Sequence, residues 1–515
     1  MQRLSRVLVV FICACASYGF GAIGKVTVLS PSPGVFSSSI HYVARATTTC
    51  PRGVSAMGIY TAPHVRVYTV KGASLDKLLT LAPGAYDTVV QEWDNCGTSA
   101  WTHVKVTVKA STPAPPPIPY TTTLAAQTGN NTSTVNTFTT QSNGNIGATN
   151  VSKADIHALL YPGATTEVYA EIQPWFGDKR HMQIGYVSWD PAQVEKQLAD
   201  MMSRGISGVV IDWYGPADAT EPTTLAWFAA AENHPEFKVA IMIDKGAVSL
   251  SPCAGCTPQQ TMIYLSKYVL QHYSTSPAYA TWNGKPIVTQ FDLDKHYMLD
   301  WNAIQSATGG KIAWIFQSAI GFTHLVTSGS YSWMNATSPV YGMDYLTNFY
   351  NAALKSPQLM AWGAGYKGFN DTLASWSLNR IVGQQCGQTW LQTFAKLNSY
   401  YNSGNQLPLL QLVTWNDYEE GTELESGIDN CLKVSATVSG KLLQWNVSGN
   451  ENTLDHYVVY FSGDNQRLAE LNRLTPGTHA MDLSPFTLPS GSFYVQAVGK
   501  PSIKNEMSAP VRTPW

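Results

Sequence analysis

Between residues 155 and 431, apolar strand-like runs alternate with helical patterns, an order that places parallel strands side by side with their crossover helices outside. The runs are 167–172, 208–212, 239–244, 286–292, 312–317, 339–343, 359–366 and 409–415. Between the first two, Asp190 and Pro191 supply an N-cap and a first-turn proline. Val194, Leu198 and Met201 then repeat at helical spacing, and Gly205 ends the helix. Thr257 and Pro258 open another helix in the same way. Eight such units predict a closed (β/α)8 TIM-like barrel over 155–432, with its reactive groups at the C-terminal ends of the strands.

The flanks have a different period. Residues 23–109 carry short alternating segments separated by Gly, Pro and Ser, the pattern of a β-sandwich, and resemble bacterial immunoglobulin-like modules acting as a spacer. Residues 433–515 return to that pattern and resemble a fibronectin type III module. Residues 110–154 form a Pro/Thr/Asn-rich linker, because its prolines lack the donor that a sheet or helix needs. At the N-terminus, Arg3 and Arg6 precede the apolar run 7–16 and an Ala14-x-Ala16 site, so 1–22 reads as a secretory signal. A lipid anchor on Cys15 is the alternative. Secretion, or a periplasmic or cell-surface location, is expected. No later run approaches the roughly 18 apolar residues of a membrane span.

Six cysteines remain beyond that leader. Cys50 and Cys96 suit a bridge between two sheets, Cys253 and Cys256 a loop staple, and Cys386 and Cys431 a pair fastening the barrel. With 32 Lys+Arg against 34 Asp+Glu there is no basic excess for nucleic acid, and 16 Trp and 26 Tyr are too much ring surface for a disordered chain. His157, His181, His296 and His324 lack metal-ligand spacing, and no Gly-x-Ser-x-Gly or Walker loop is present. The expectation is therefore no metal and no cofactor, in a monomer acting on a polysaccharide or oligosaccharide.

Polar groups gather just after the apolar runs, where burial is not their purpose. Run one ends in Glu171, Gln173 and Trp175; run two in Asp212, Trp213 and Tyr214; run three in Asp244 and Lys245. Run four ends in Asp292 and Asp294, run five in Gln317, and run seven in Tyr366 and Lys367. Run eight ends in 413–425, Val-Thr-Trp-Asn-Asp-Tyr-Glu-Glu-Gly-Thr-Glu-Leu-Glu, with five carboxylates in nine residues, a crowding that raises some of their pKa values. Asp417 and Glu420, three apart on a loop, can face one cleft. Two such carboxyls are what glycoside hydrolysis needs, one protonated as donor and one ionised to activate water or attack. Trp175, Trp213, Tyr214, Trp415 and Tyr418 would offer flat faces to sugar rings, with Asn416 and the polar strand ends as substrate contacts. The alternative for Asp212, Asp244, Asp292 and Asp294, each taken singly, is a helix cap or loop staple. For Glu423 and Glu425 it is a solvated face.

Segment 413–420 resembles the strand-eight signature of the α-1,3-glucanases, or mutanases, of glycoside hydrolase family 71. Segment 420–425 is similar to that of the endo-α-mannosidases of family 99, as is the aromatic first-strand segment 171–176. The resemblance implies Glu420 as general acid, Asp417 as base or as the residue that positions the nucleophile, and Asp212 as a third carboxylate. The mutanase likeness implies inversion at the anomeric carbon. The function expected is that of a secreted, endo-acting glycoside hydrolase on an α-linked, α-1,3-glucan-like polysaccharide. Its alternatives are an endo-α-mannosidase-like activity, or a carbohydrate-binding or adhesion protein on a degenerate barrel.

Overall fold

The computed structural model describes residues 24–36, 39–62, 65–109, 151–465 and 468–515. The leader, the Cys15 anchor and most of the 110–154 linker lie outside the described residues. The chain divides into two compact units, Met1–Ile118 and Pro119–Trp515.

The second unit contains a closed barrel of eight parallel strands: β1 Glu167–Ile172, β2 Gly208–Trp213, β3 Lys238–Asp244, β4 Lys285–Phe291, β5 Ala313–Gln317, β6 Gly329–Tyr331, β7 Met360–Gly365 and β8 Leu409–Leu412. Their order is β3-β2-β1-β8-β7-β6-β5-β4, and pairing of β3 with β4 closes the ring. Seven of the eight expected runs coincide with these strands. The sixth is a correction: residues 339–342 are a turn, and Met343 starts the helix Met343–Leu354. The true β6 is Gly-Ser-Tyr, too short and too polar to read as an apolar run. Its composition follows from close packing, since a Cβ on Gly329 would lie 2.3 Å from the Met360 carbonyl oxygen, and Ser330 Oγ donates to Phe316 O at 2.7 Å.

Strand side chains alternate between two environments. Tyr169, Val210, Met242, Ile315, Tyr331 and Trp362 fill the barrel interior. Their neighbours Val168, Val209, Ile241 and Trp314 pack under the surrounding helices. Helix Pro191–Ser203 forms as its signals predict: Asp190 accepts from Ala192 N at 3.0 Å, and Gly205 takes φ 80° just past the end. Val194, Leu198 and Met201 are fully buried, each contributing about 1.5–3 kcal/mol. Helix Pro258–Tyr268 starts with a reciprocal cap between Thr257 and Gln260.

Residues 24–108 form a three-stranded and a five-stranded sheet that share one core around Tyr42, Ile59, Val90 and Val106. The Cys50–Cys96 disulfide joins the chain just after strand Ser39–Thr48 of one sheet to the turn after Gly84–Asp94 of the other. Residues 433–512 likewise form two sheets around Trp445, Tyr457, Phe493 and Val495. This C-terminal part packs on the barrel: Ile503 belongs to the barrel's outer core, Trp390 Nε1 donates to Pro501 O at 3.0 Å, and Cys386–Cys431 ties helix entry to barrel exit. Among the described residues no helix is long and apolar enough to cross a membrane.

Candidate active site

Two residues beyond the interior layer, the same strand faces open into a cleft of about 890 Å³. Period-two geometry decides what lines it: Glu171 follows Tyr169, Asp212 follows Val210, Asp244 follows Met242, Gln317 follows Ile315 and Trp333 follows Tyr331. Gln173, Trp175, Tyr214, Lys245, Asp292, Asp417 and Glu420 complete the expected members of the lining.

The β8 exit loop is fixed by its own hydrogen bonds. Asp417 N donates to Thr414 Oγ1 at 2.9 Å, and Asp417 Oδ1 accepts from the amides of Glu419 at 3.0 Å and Glu420 at 2.8 Å. Gly421, at φ 63°, lies so close to Asn370 that a Cβ would sit 3.1 Å from its carbonyl oxygen. Asn416 Oδ1 accepts from Gln173 N at 2.8 Å while its Nδ2 donates to Gln173 O at 3.0 Å, locking the β1 exit to the β8 exit. Glu420 Oε1 accepts from the indole of Trp376 at 3.2 Å. That tryptophan stands on a loop gathered around buried Asp371, which accepts from Arg380 N and Arg380 Nε, both at 2.8 Å.

Crowding dominates the electrostatics. Burial first, then repulsion from Asp212, Asp417, Glu420 and Asp244, holds the Glu171 carboxyl well above the ordinary range. Asp212 is raised by burial and then by Asp244, Asp417 and Glu420; its Oδ1 is buried without a hydrogen-bond partner among the described residues. Asp244 is pushed up to about 6 by burial, against the Gly246 amide, Lys245 and the Tyr214 hydroxyl. Asp417 is raised by burial and by Glu420, against its two amide donors. Burial also raises Glu420, while the Trp376 indole and Arg380 pull it back. Each of these carboxyls therefore keeps its proton to higher pH than a free one, the direction that general acid chemistry requires.

Several expected residues lie outside the cleft. Trp213, between Asp212 and Tyr214, is forced by alternation to the opposite face, where its Nε1 donates to Glu221 at 2.8 Å. Trp415 is fully buried with the Arg204 guanidinium 4.9 Å over its ring. Tyr418 packs on Phe176 and donates to Glu425 Oε2 at 3.1 Å. Asp294 accepts from Trp301 Nε1 at 2.8 Å, the loop-staple alternative. Tyr366 donates to Tyr341 O, Lys367 pairs with Glu423 at 2.7 Å, and Asn416 bonds the Gln173 backbone and, at 3.4 Å, the Tyr186 hydroxyl. Asp244 does both jobs, capping the short helix Lys245–Leu250 and lining the cleft. Glu425 is no solvated face: fully buried, it accepts from Tyr186, Gln197 and Tyr418. Conversely Arg180, His181, Asp218, Trp333, Trp376 and Arg380 line the cleft from loops that carry no strand-end signal. Only their nearness in sequence to the β1, β2, β6 and β7 exits could have pointed to them.

No family model matches the chain, and no curated protein matches it. Among solved structures, it is similar to two of the GH99 endo-α-mannosidase from Bacteroides thetaiotaomicron. These are 16% and 15% identical at TM-score 0.41, covering 52% and 51% of this chain and 88% of that one. A β-glucuronidase from Ruminococcus gnavus in complex with D-glucuronic acid is similar at TM-score 0.32 and 10% identity over 76% of this chain and 60% of that one. Fibronectin(III)-like modules from Clostridium thermocellum are similar at TM-score 0.14 and 21% identity over 16% of this chain and 96% of theirs.

Proposed function

We propose that the chain is a secreted, endo-acting glycoside hydrolase of an α-linked, α-1,3-glucan-like polysaccharide. Glu420 donates a proton to the departing glycosidic oxygen, and Asp417 acts as base on the attacking water. The observation that carries this is that one rigid loop presents both carboxyls to a single cleft. Asp417 holds two fixed amide donors, which suit an ionised base, whereas Glu420 is partly exposed and placed to deliver a proton. Asp212, buried with one oxygen unpartnered among the described residues, is the third carboxylate and accepts a hydrogen bond from a sugar hydroxyl. Trp175, Tyr214, Trp333 and Trp376 supply the ring surface against which pyranose C–H groups lie. The paired sheets of 24–108 and 433–512 serve as immunoglobulin-like and fibronectin type III-like spacers.

The test is a panel of α-glucans and α-mannans, with products read by mass and the first-formed anomer by NMR. Cleavage of α-1,3-glucan with inversion is expected, and Glu420→Gln should abolish release while leaving glycan binding. A wild-type protein that binds a glycan yet cleaves none would make the barrel a binding module instead.

A further inference from the structure

Beside Glu420 lies a pair of groups that proton transfer by Asp417 and Glu420 does not use. His181 Nδ1 is 2.9 Å from Glu419 Oε2. The same oxygen accepts from Trp175 Nε1 at 2.9 Å, and Glu419 Oε1 accepts from Met182 N at 3.0 Å. The Glu419 side chain is 4% exposed, so it serves none of these donors from solvent. A carboxylate can only accept, so the proton of this contact sits on Nδ1. That leaves Nε2, which has no protein partner among the described residues, on a ring that lines the cleft. The ring cannot turn freely: it stacks on Trp175 with centroids 4.6 Å apart and planes 18° apart, and meets the edge of Trp376, the indole that donates to Glu420.

We infer that His181 is a further substrate-contacting residue, whose Nε2, aimed by Glu419, shares a hydrogen bond with a hydroxyl of the sugar unit bound next to Glu420. Glu419 is its positioning residue. The inference rests on the glycosidase reading and adds to it a specificity contact. With Nδ1 held by Glu419, Nε2 is the ring nitrogen left for the cleft, and a hydroxyl there can pair with it, so the site selects a free hydroxyl at that point of the sugar over a deoxy one. In the same loop, Glu419 differs from Glu420 in facing three donors rather than the cleft, which is why adjacent glutamates hold different jobs.

The experiment uses the full chain and α-1,3-gluco-oligosaccharides, with α-manno-oligosaccharides as the second probe. His181→Asn keeps a donor for Glu419 where Nδ1 stood and removes Nε2. His181→Gln keeps reach to the Nε2 position and gives up the Glu419 bond. Loss of that one hydrogen bond should raise KM about threefold to tenfold for His181→Asn, with kcat within about twofold and the melting temperature unchanged. In the Glu420→Gln background, calorimetric affinity should fall by the same factor. Singly deoxygenated oligosaccharides complete the cycle: one of them should bind wild type as poorly as His181→Asn and be insensitive to the substitution. Additive losses for every deoxy sugar, or a His181→Asn protein with unchanged KM and affinity, would overturn the contact while leaving the glycosidase reading standing. If wild type neither binds nor cleaves either set of oligosaccharides, the glycosidase reading fails and the contact falls with it.

Discussion

Two kinds of carboxylate share the nine residues from 417 to 425. Glu419, Glu423 and Glu425 are each tied down: Glu419 by Trp175, His181 and Met182, Glu423 by Lys367, Glu425 by Tyr186, Gln197 and Tyr418. Asp417 and Glu420 keep a side open to the cleft. The difference teaches that the tied carboxylates are scaffold, holding the loop against the β1 exit and the surrounding layers, so that the two open ones hold a fixed spacing without hydrogen-bonding each other into uselessness. Buried polar groups left unpaired are costly, and among those of the described residues are Asp212 Oδ1 and Gln173 Oε1, on residues that line the cleft.

The sharpest way to break this contrast is to exchange oxygens for amides on each side of it. Glu420→Gln and Asp417→Asn should each lower kcat by about 10²- to 10⁴-fold, the span for a lost acid or base, with thermal stability essentially kept. Glu425→Gln should do the reverse. Burial pushes the Glu425 carboxyl up from 4.5 to about 7, against the hydroxyls, Gln197 and Arg204 that favour its charge. Between those two values this group binds more protons in the folded state than in the unfolded one, so its contribution to stability falls as pH rises from about 4.5 to about 7 and is level above. The drop is about 3 kcal/mol by pH 8. Denaturant titrations across that range should show a shallower slope in Glu425→Gln than in wild type, the other raised carboxyls keeping theirs, with turnover per folded molecule little changed. A flat wild-type profile would remove Glu425 from the tied set.

The same contrast explains what was legible in the sequence. Seven strands were visible because a parallel sheet buried on both faces demands apolar runs, and Glu171, Asp212, Asp244, Asp417 and Glu420 stood out by interrupting them. β6 was hidden because close approach to Met360 favours Gly and Ser. Side-chain parity was the information left unused: Trp213 and Asp212 are neighbours in sequence and therefore on opposite faces of β2. Trp213→Phe should accordingly cost about 1–3 kcal/mol of stability, leaving Glu221 short of a donor, with kcat/KM unchanged. Tyr214→Phe, one residue on, removes the hydroxyl bonded to Asp244 and should alter kcat/KM instead. Equal effects of the two on activity would mean that face does not sort function from packing. His181 and Arg380 were out of reach altogether, since loop contacts between the β1, β7 and β8 exits have no periodic signature.

The smallest effect tests how open Glu420 really is. Among the described residues its side-chain hydrogen bond comes from Trp376, whose indole N–H favours the ionised carboxylate, as does Arg380 from further off. Trp376→Phe keeps the ring and its edge contacts with Trp175 and His181 while deleting that donor. The carboxyl pKa then rises further. A proton donor must be protonated to act, so the alkaline limb of kcat/KM should move to higher pH, with the rate at the optimum changed only a few-fold. An alkaline limb that stays in place while the acid limb moves to higher pH would mean the group is needed ionised, which would assign Glu420 the part of base and pass the donor's part to Asp417 or one of the carboxyls behind it.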